Sequence, residues 1–114
     1  MNIYDTANKL AQELKQDEQV KAYIELKDKI LEDETNRALL KKYKKLQFEA
    51  QTTVLSGGTL SPEKHEEINK LGEVLQFNKD ISDFLSREYV VNRILTDIYK
   101  IIGEAVDIDL SFMD

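Results

Sequence analysis

Asp17-Glu18-Gln19-Val20-Lys21-Ala22-Tyr23-Ile24 is a helix start written out in residues, and the chain uses the same plan three times. Asp33-x-x-Asn36-x-x-Leu39-Leu40 and Asn78-x-x-Ile81-x-x-Phe84-Leu85 repeat it. In each unit a short polar side chain stands six and seven residues ahead of an apolar pair. Asp or Asn at that place accepts hydrogen bonds from the free N–H groups of a first helical turn. The apolar pair that follows lies on one face of the new helix. Three helix starts are therefore legible at residues 17, 33 and 78.

Working outward from these starts, the predicted helices fill the chain. The first runs from about Ile3 to Gln16, with Tyr4, Ala7, Leu10, Ala11 and Leu14 at the 3, 4 spacing of a narrow stripe. The second runs from Glu18 to about Glu32 and carries Val20, Tyr23, Ile24, Ile30 and Leu31. The third is capped by Asp33 and reaches Leu55, with a stripe of Leu39, Tyr43, Leu46, Ala50 and Val54. Ser56-Gly57-Gly58-Thr59 reads as a turn, because paired glycines accept left-handed backbone at a helix end. Ser61-Pro62 then restarts a helix, with Ser61 as cap and Pro62 at the first helical position. The fourth helix, to about Phe77, carries Ile68, Leu71, Val74 and Leu75, and the short connection makes it an antiparallel hairpin with the third. The fifth begins near Asp80 and continues to about Val106. The last residues, 107–114, alternate polar and apolar and read as an extended or frayed tail.

Composition narrows the class. The chain has 114 residues, 41% hydrophobic and 33% charged, which suits one helical domain with a modest core. Sixteen basic residues against 22 acidic leave a net charge of −6, an argument against a dedicated nucleic-acid binder. There is no cysteine, which excludes disulfides and thiolate-held metals and fits the cytoplasm. No apolar stretch approaches the roughly 20 residues a membrane span needs, and Met1-Asn2-Ile3-Tyr4-Asp5 is not a signal peptide.

Catalytic readings fail one by one. His65-Glu66-Glu67 invites comparison with a metalloprotease helix, but the second histidine belongs at position 69, which is Asn69. Gly57-Gly58 lacks the Lys and Ser/Thr of a phosphate-binding loop. Asp107 and Asp109 have the first ligand spacing of a calcium loop, yet Phe112 stands where its glycine belongs. With one histidine and no cysteine, neither a nucleophile–base pair nor a histidine-rich metal site can be assembled. The expectation is no catalytic residue, no metal and no cofactor.

Two surfaces remain. Residues 36–50 hold Arg37, Lys41, Lys42, Lys44 and Lys45 against the single acid Glu49. On a helical wheel Arg37, Lys41 and Lys44 lie opposite the main stripe, together with Phe48 and Leu55. Three readings compete for this face: a solvated charged surface with Lys stems over Phe48, a contact to another protein, and a contact to RNA. The second surface is on the fifth helix, where Val90, Val91, Ile94, Leu95, Ile98, Ile101, Ile102 and Ala105 span an arc of roughly 140°. That is wider than one two-helix seam requires, so this helix is either central to the core or shared with a second subunit. Val90, Ile94 and Ile101 are the candidate subunit contacts. Arg87 falls inside the arc and is expected at its rim or in a salt bridge.

Tyr4-Asp5-x-Ala7-x-x-Leu10, the Asp17 and Asp33 boxes, the glycine turn, the Asn78 box and Ile94-Leu95-x-Asp97-Ile98-x-x-Ile101-Ile102 occur here in one order. That order resembles the YlbF/YmcA family of small bacterial helical proteins, including the YheA-type members. The resemblance covers nearly the whole chain. It implies an all-helical, cytoplasmic protein, often a dimer through long helices. It implies a regulatory adaptor in competence, sporulation and biofilm formation, acting with other proteins and supporting ribonuclease Y-dependent mRNA processing. Some of those regulators carry C-terminal cysteines associated with iron–sulfur clusters; this chain has none, so a cluster-bearing role is not expected. The expected protein is thus an all-α helical hairpin and bundle of about five helices in a single domain, forming a homo-oligomer, a dimer by preference. Its expected function is non-enzymatic, through protein contacts; the alternative is an RNA-associated accessory protein using the Lys-rich face.

Overall fold

Each chain start that polar caps predicted is a helix start in the computed structural model, which describes residues 2–108. Five helices follow in order: α1 (Ile3–Gln16), α2 (Glu18–Glu32), α3 (Glu34–Leu55), α4 (Pro62–Gln76) and α5 (Lys79–Ala105). Asp17 Oδ2 accepts from the amides of Gln19 and Val20, at 3.0 and 3.1 Å. Asp33 Oδ1 accepts from the amide of Asn36 at 3.0 Å, and Asn78 Oδ1 from that of Ile81 at 3.1 Å. All three units therefore cap as their spacing requires. Asn2 caps α1 in the same way, accepting from the Tyr4 amide at 2.8 Å, a start the three-fold pattern does not contain.

The turn between α3 and α4 also forms as read. Gly57 takes φ +85°, the left-handed conformation that favours glycine, and Ser61 Oγ accepts from the Lys64 amide at 3.2 Å. Lys64 occupies the place where a capping-box Glu would stand. Its ammonium instead reaches Glu49 Oε2 on α3 at 3.1 Å and Glu67 Oε2 at 3.6 Å, tying the two helices near the turn.

The described residues sort into two compact units, residues 26–83 and residues 2–25 with 84–108, with the divisions falling inside α2 and α5. The first unit is the hairpin α3–α4 with the end of α2 and the start of α5. It holds the buried side chains Ile30, Leu40, Leu46, Leu71, Leu75 and Ile81, of which Ile30 and Ile81 are fully enclosed. Two polar ties close it at the helix ends. Asn78 Nδ2 donates to Asn36 Oδ1 at 2.7 Å, joining the starts of α5 and α3, and Lys29 Nζ reaches Asp80 Oδ1 at 3.5 Å.

The second unit comprises α1, the first half of α2, and α5 from Phe84 onward. Phe84 is its buried apolar side chain, and the Tyr23 ring stacks on it with centroids 5.4 Å apart. No described residue of α1 is buried; Leu10 and Leu14 are half-buried, whereas Tyr4, Ala7 and Ala11 of the predicted stripe are exposed. A narrow stripe gives a helix one shallow contact and leaves its ends outside it.

Candidate interaction surface

The basic face of α3 is built by the cap that starts the helix. Asp33 fixes the phase, and from it Arg37, Lys41 and Lys45 fall on the side away from Leu39, Leu46 and Ala50. Arg37, Lys41, Lys42 and Lys45 are exposed, and among the described residues none takes part in an ion pair. Lys44 differs: it is half-buried and has a partner of its own. Phe48 is 68% exposed and Leu55 is 87% exposed, so both predicted apolar members of this face do lie in water. Lysine stems do not cover Phe48 to any great extent, contrary to the simplest solvated-face picture.

The arms of the hairpin treat their charge differently. On α4, Lys64 is paired as described and Lys70 Nζ meets Glu66 Oε1 at 3.0 Å. Proximity of Glu49, then of Glu67, holds the Lys64 ammonium above its usual pKa. Glu63 and Glu73 of α4 have no ion pair among the described residues. His65 is exposed in the first turn of α4, as its position suggested, beside Glu66 and Asn69 in an open hollow lined also by Leu60, Pro62, Lys70 and Glu73. No group of three or more His, Cys, Asp or Glu side chains stands close enough to hold a metal among the described residues.

The arc of α5 divides along its length. Val90, Val91, Ile94, Leu95 and Ile98 are half-buried, while Ile101 is 68% exposed and Ile102 is more than half exposed. The predicted contacts Val90 and Ile94 are therefore partly occupied within the chain, and Ile101 is free. Arg87 lies exposed at the rim and, among the described residues, without the salt bridge that was its alternative. Burial and the neighbouring Glu88 carboxylate push the Tyr23 hydroxyl above its usual pKa. Of the calcium-like pair only Asp107 is among the described residues; Asp109 and Phe112 lie outside them, as does most of the tail. Asp107, which is described, has φ 61° just past α5.

Sequence reasoning missed one feature entirely. Between α3 and α4 runs an apolar groove of about 220 Å³, lined by Tyr43, Leu46, Gln47, Ala50, Ile68 and Leu71. Apart from Gln47, its residues belong to the predicted stripes of α3 and α4, whose 3, 4 spacing is that of covered positions. The available signal was the small side chain of Ala50 within the α3 stripe and the polar Gln47 beside it.

The family model described as control of competence regulator ComK, YlbF/YmcA, matches residues 3–107. The chain belongs to the YlbF/YmcA family. Among its curated relatives, a UPF0342 protein of Clostridium tetani is 39% identical over 112 residues, covering 98% of this chain and 97% of that one. A second, from Symbiobacterium thermophilum, is 38% identical over 96% of this chain and 98% of its own length. Among solved structures, a protein of unknown function (DUF964) from Bacillus stearothermophilus superposes with a TM-score of 0.75 over 92% of both chains. At 15% identity that likeness establishes the shared all-α fold. The description of the matching family model is a regulatory one. No helix among the described residues is long and apolar enough to cross a membrane.

Proposed function

We propose that this member of the YlbF/YmcA family is a non-enzymatic adaptor, a single cytoplasmic domain that regulates by binding other proteins and by assembling with itself. Unpaired cations beside exposed Phe48 and Leu55 carry this reading, since such a mixed strip on α3 suits a charged protein partner better than bulk water. Arg37 and Lys41 supply steering charge, Lys44 sits at the inner edge, and Phe48 and Leu55 supply the apolar anchors. Self-assembly as a dimer is favoured by the exposed end of the α5 arc, with Val90, Ile94 and Ile101 as the first residues to test. The family's tie to control of a competence regulator supports regulatory partners.

The decisive experiment compares wild type with Phe48→Asp/Leu55→Asp as affinity bait in the native host. Proteins retained by wild type and lost by the variant, at unchanged helical content, support the adaptor reading. Identical captured sets with both baits overturn it. The same unpaired cations favour a second reading, an RNA-associated accessory protein. Filter binding with a single-stranded RNA at low and at physiological salt decides that: the reading requires tight low-salt binding that falls steeply with salt.

A further inference from the structure

Helix α3 carries a second seam on its outer side. Arg37, Lys41, Lys44, Phe48, Gln51 and Leu55 follow one another in alternating steps of four and three residues. That is the spacing by which one helix presents a line of side chains to another, and the six positions fall within about 80° of arc. The inner side of α3 is spent on the core through Leu40 and Leu46. On the outer seam Lys44 is half-buried and the other five positions are exposed. The two halves of the seam differ in chemistry. From Arg37 to Lys45 it is cationic, and from Phe48 to Leu55 it is apolar, with Gln51 and Thr52 between the two anchors.

Charge decides what fits there. Residues 37–48 hold five basic residues and no acid, +5 in a chain of net −6, so the remainder stands at −11. The two acids of α3 do not neutralise the seam. Glu34 lies in the first turn, ahead of it, and Glu49 is drawn sideways to Lys64 of α4 at 3.1 Å. Arg37, Lys41 and Lys45 have no ion pair among the described residues. We propose that this seam docks an acidic amphipathic helix of another protein, its acids against Arg37, Lys41 and Lys45 and its apolar side chains against Phe48 and Leu55. Arg37 and Leu55 are about 27 Å apart along the axis, so the docked helix has about five turns. An acidic helix is repelled by the net charge of the rest of the chain and attracted here, which fixes where it binds and in what register.

The segregation of charge from apolar surface along the seam favours a helix over other anionic partners. A nucleic-acid strand carries phosphate along its whole length, and α3 offers it no cation from Phe48 onward. A helix lying on a lipid surface needs apolar side chains along its whole face with cations flanking them. Here the cations occupy one end of the face and the apolar anchors the other, and a chain of net −6 is repelled by anionic lipid. A helix with acids in two turns and apolar residues in the next three matches both halves at once.

This inference rests on the adaptor reading and names the chemistry of its partner. The probe is a labelled, stapled helical peptide of about five turns, with Glu at the seam positions of two turns and Leu at those of three. Acid-first and acid-last versions cover both directions of docking, and a third peptide replaces Glu by Lys. Fluorescence anisotropy is measured on the full chain, on Arg37→Glu/Lys41→Glu and on Phe48→Asp/Leu55→Asp. All four residues are exposed, so folding is retained, and circular dichroism checks it. One Glu peptide is expected to bind wild type and the Lys peptide not. Charge reversal should weaken Glu-peptide binding about tenfold and let the Lys peptide bind, and loss of the apolar anchors should cost about a hundredfold. Failure of both Glu peptides to bind, or equal binding of Glu and Lys peptides, overturns the proposal. So does tighter binding of a single-stranded RNA or of phosphatidylglycerol vesicles through the same cations. A self-oligomer seen by light scattering and dissolved by Phe48→Asp/Leu55→Asp gives the seam to a second copy and also overturns it. Used as bait in the native host, Arg37→Glu/Lys41→Glu separates the two claims. If it captures the wild-type set while Phe48→Asp/Leu55→Asp does not, the adaptor stands and the acidic helix falls.

Discussion

The unit of residues 26–83 and the unit built from α1, early α2 and late α5 have similar helical content and very different interiors. The first encloses Ile30, Leu40, Leu46, Leu71, Leu75 and Ile81 while exposing Phe48, Val54, Leu55 and Phe77; the second encloses Phe84 and exposes Ile3, Tyr4, Tyr99, Ile101, Ile102 and Val106. The first is also tied by hydrogen bonds and ion pairs across its helices, through Asn36–Asn78, Lys29–Asp80 and Lys64–Glu49. The second holds by the Tyr23–Phe84 stack and by half-buried aliphatics. Apolar stripes of equal quality on paper thus reach unequal burial. Stability concentrates where stripes meet stripes, and unspent apolar surface is left where they do not.

The sharpest way to break this comparison is to cut one side chain in each unit. Ile81→Ala, at a fully enclosed position, is expected to cost about 3 kcal/mol, read as a lower urea midpoint. Ile94→Ala, half-buried on α5, is expected to cost about 1 kcal/mol. Equal losses at the two positions would erase the distinction between the units. Next in size is Asn78→Ala, which removes a helix cap and the bond to Asn36 together, for about 2 kcal/mol. Asn2→Ala, which removes a cap alone at an exposed end, should cost about 0.5–1 kcal/mol in the same titration.

Gly57→Ala sharpens the picture of the hairpin. Left-handed backbone at φ +85° penalises a Cβ, so about 1 kcal/mol is lost although nothing lies within 4 Å of the new methyl. The smallest effect is a pH dependence. Both shifted groups, Tyr23 and Lys64, have folded-state pKa values raised above their ordinary 10.0 and 10.5. The stability they contribute is therefore fully present below pH 10.0 and fades as pH rises beyond those values. Tyr23→Phe should flatten the alkaline limb of a thermal-unfolding profile in part, and Lys64→Met should flatten the remainder. A limb unchanged in both variants would remove these groups from the account.

What the chain discloses in advance follows from which forces are local. Caps act over two or three residues, so Asp17, Asp33, Ser61 and Asn78 were legible, as were the left-handed turn at Gly57 and the ends of α1, α2 and α3 to the residue. The basic face with Phe48 and Leu55 was legible because a helical wheel is also local. Burial depends on which stripes find each other, and Val54, placed in the α3 stripe by periodicity, stands in water for lack of a neighbour. The Asn36–Asn78 bond and the Lys64–Glu49 pair were invisible for the same reason: their partners lie 42 and 15 residues apart, and no spacing rule links them. The groove was hidden within a stripe that looked complete.

The Asn36–Asn78 bond has a consequence in time as well as in space. A ribosome adding 5–20 residues per second makes Asn36 roughly two to eight seconds before Asn78, because 42 positions separate them. During that interval α3, the turn with its caps and the Lys64–Glu49 tie, all of short range, are made in succession, and α4 is completed at Gln76, two residues before Asn78 arrives. Helix formation takes microseconds, so the hairpin waits on synthesis rather than on folding. Its base is open until α5 begins, and the cap residue just ahead of α5 is what closes it. Nascent chains translated side by side on one message would hold such open hairpins at high local concentration.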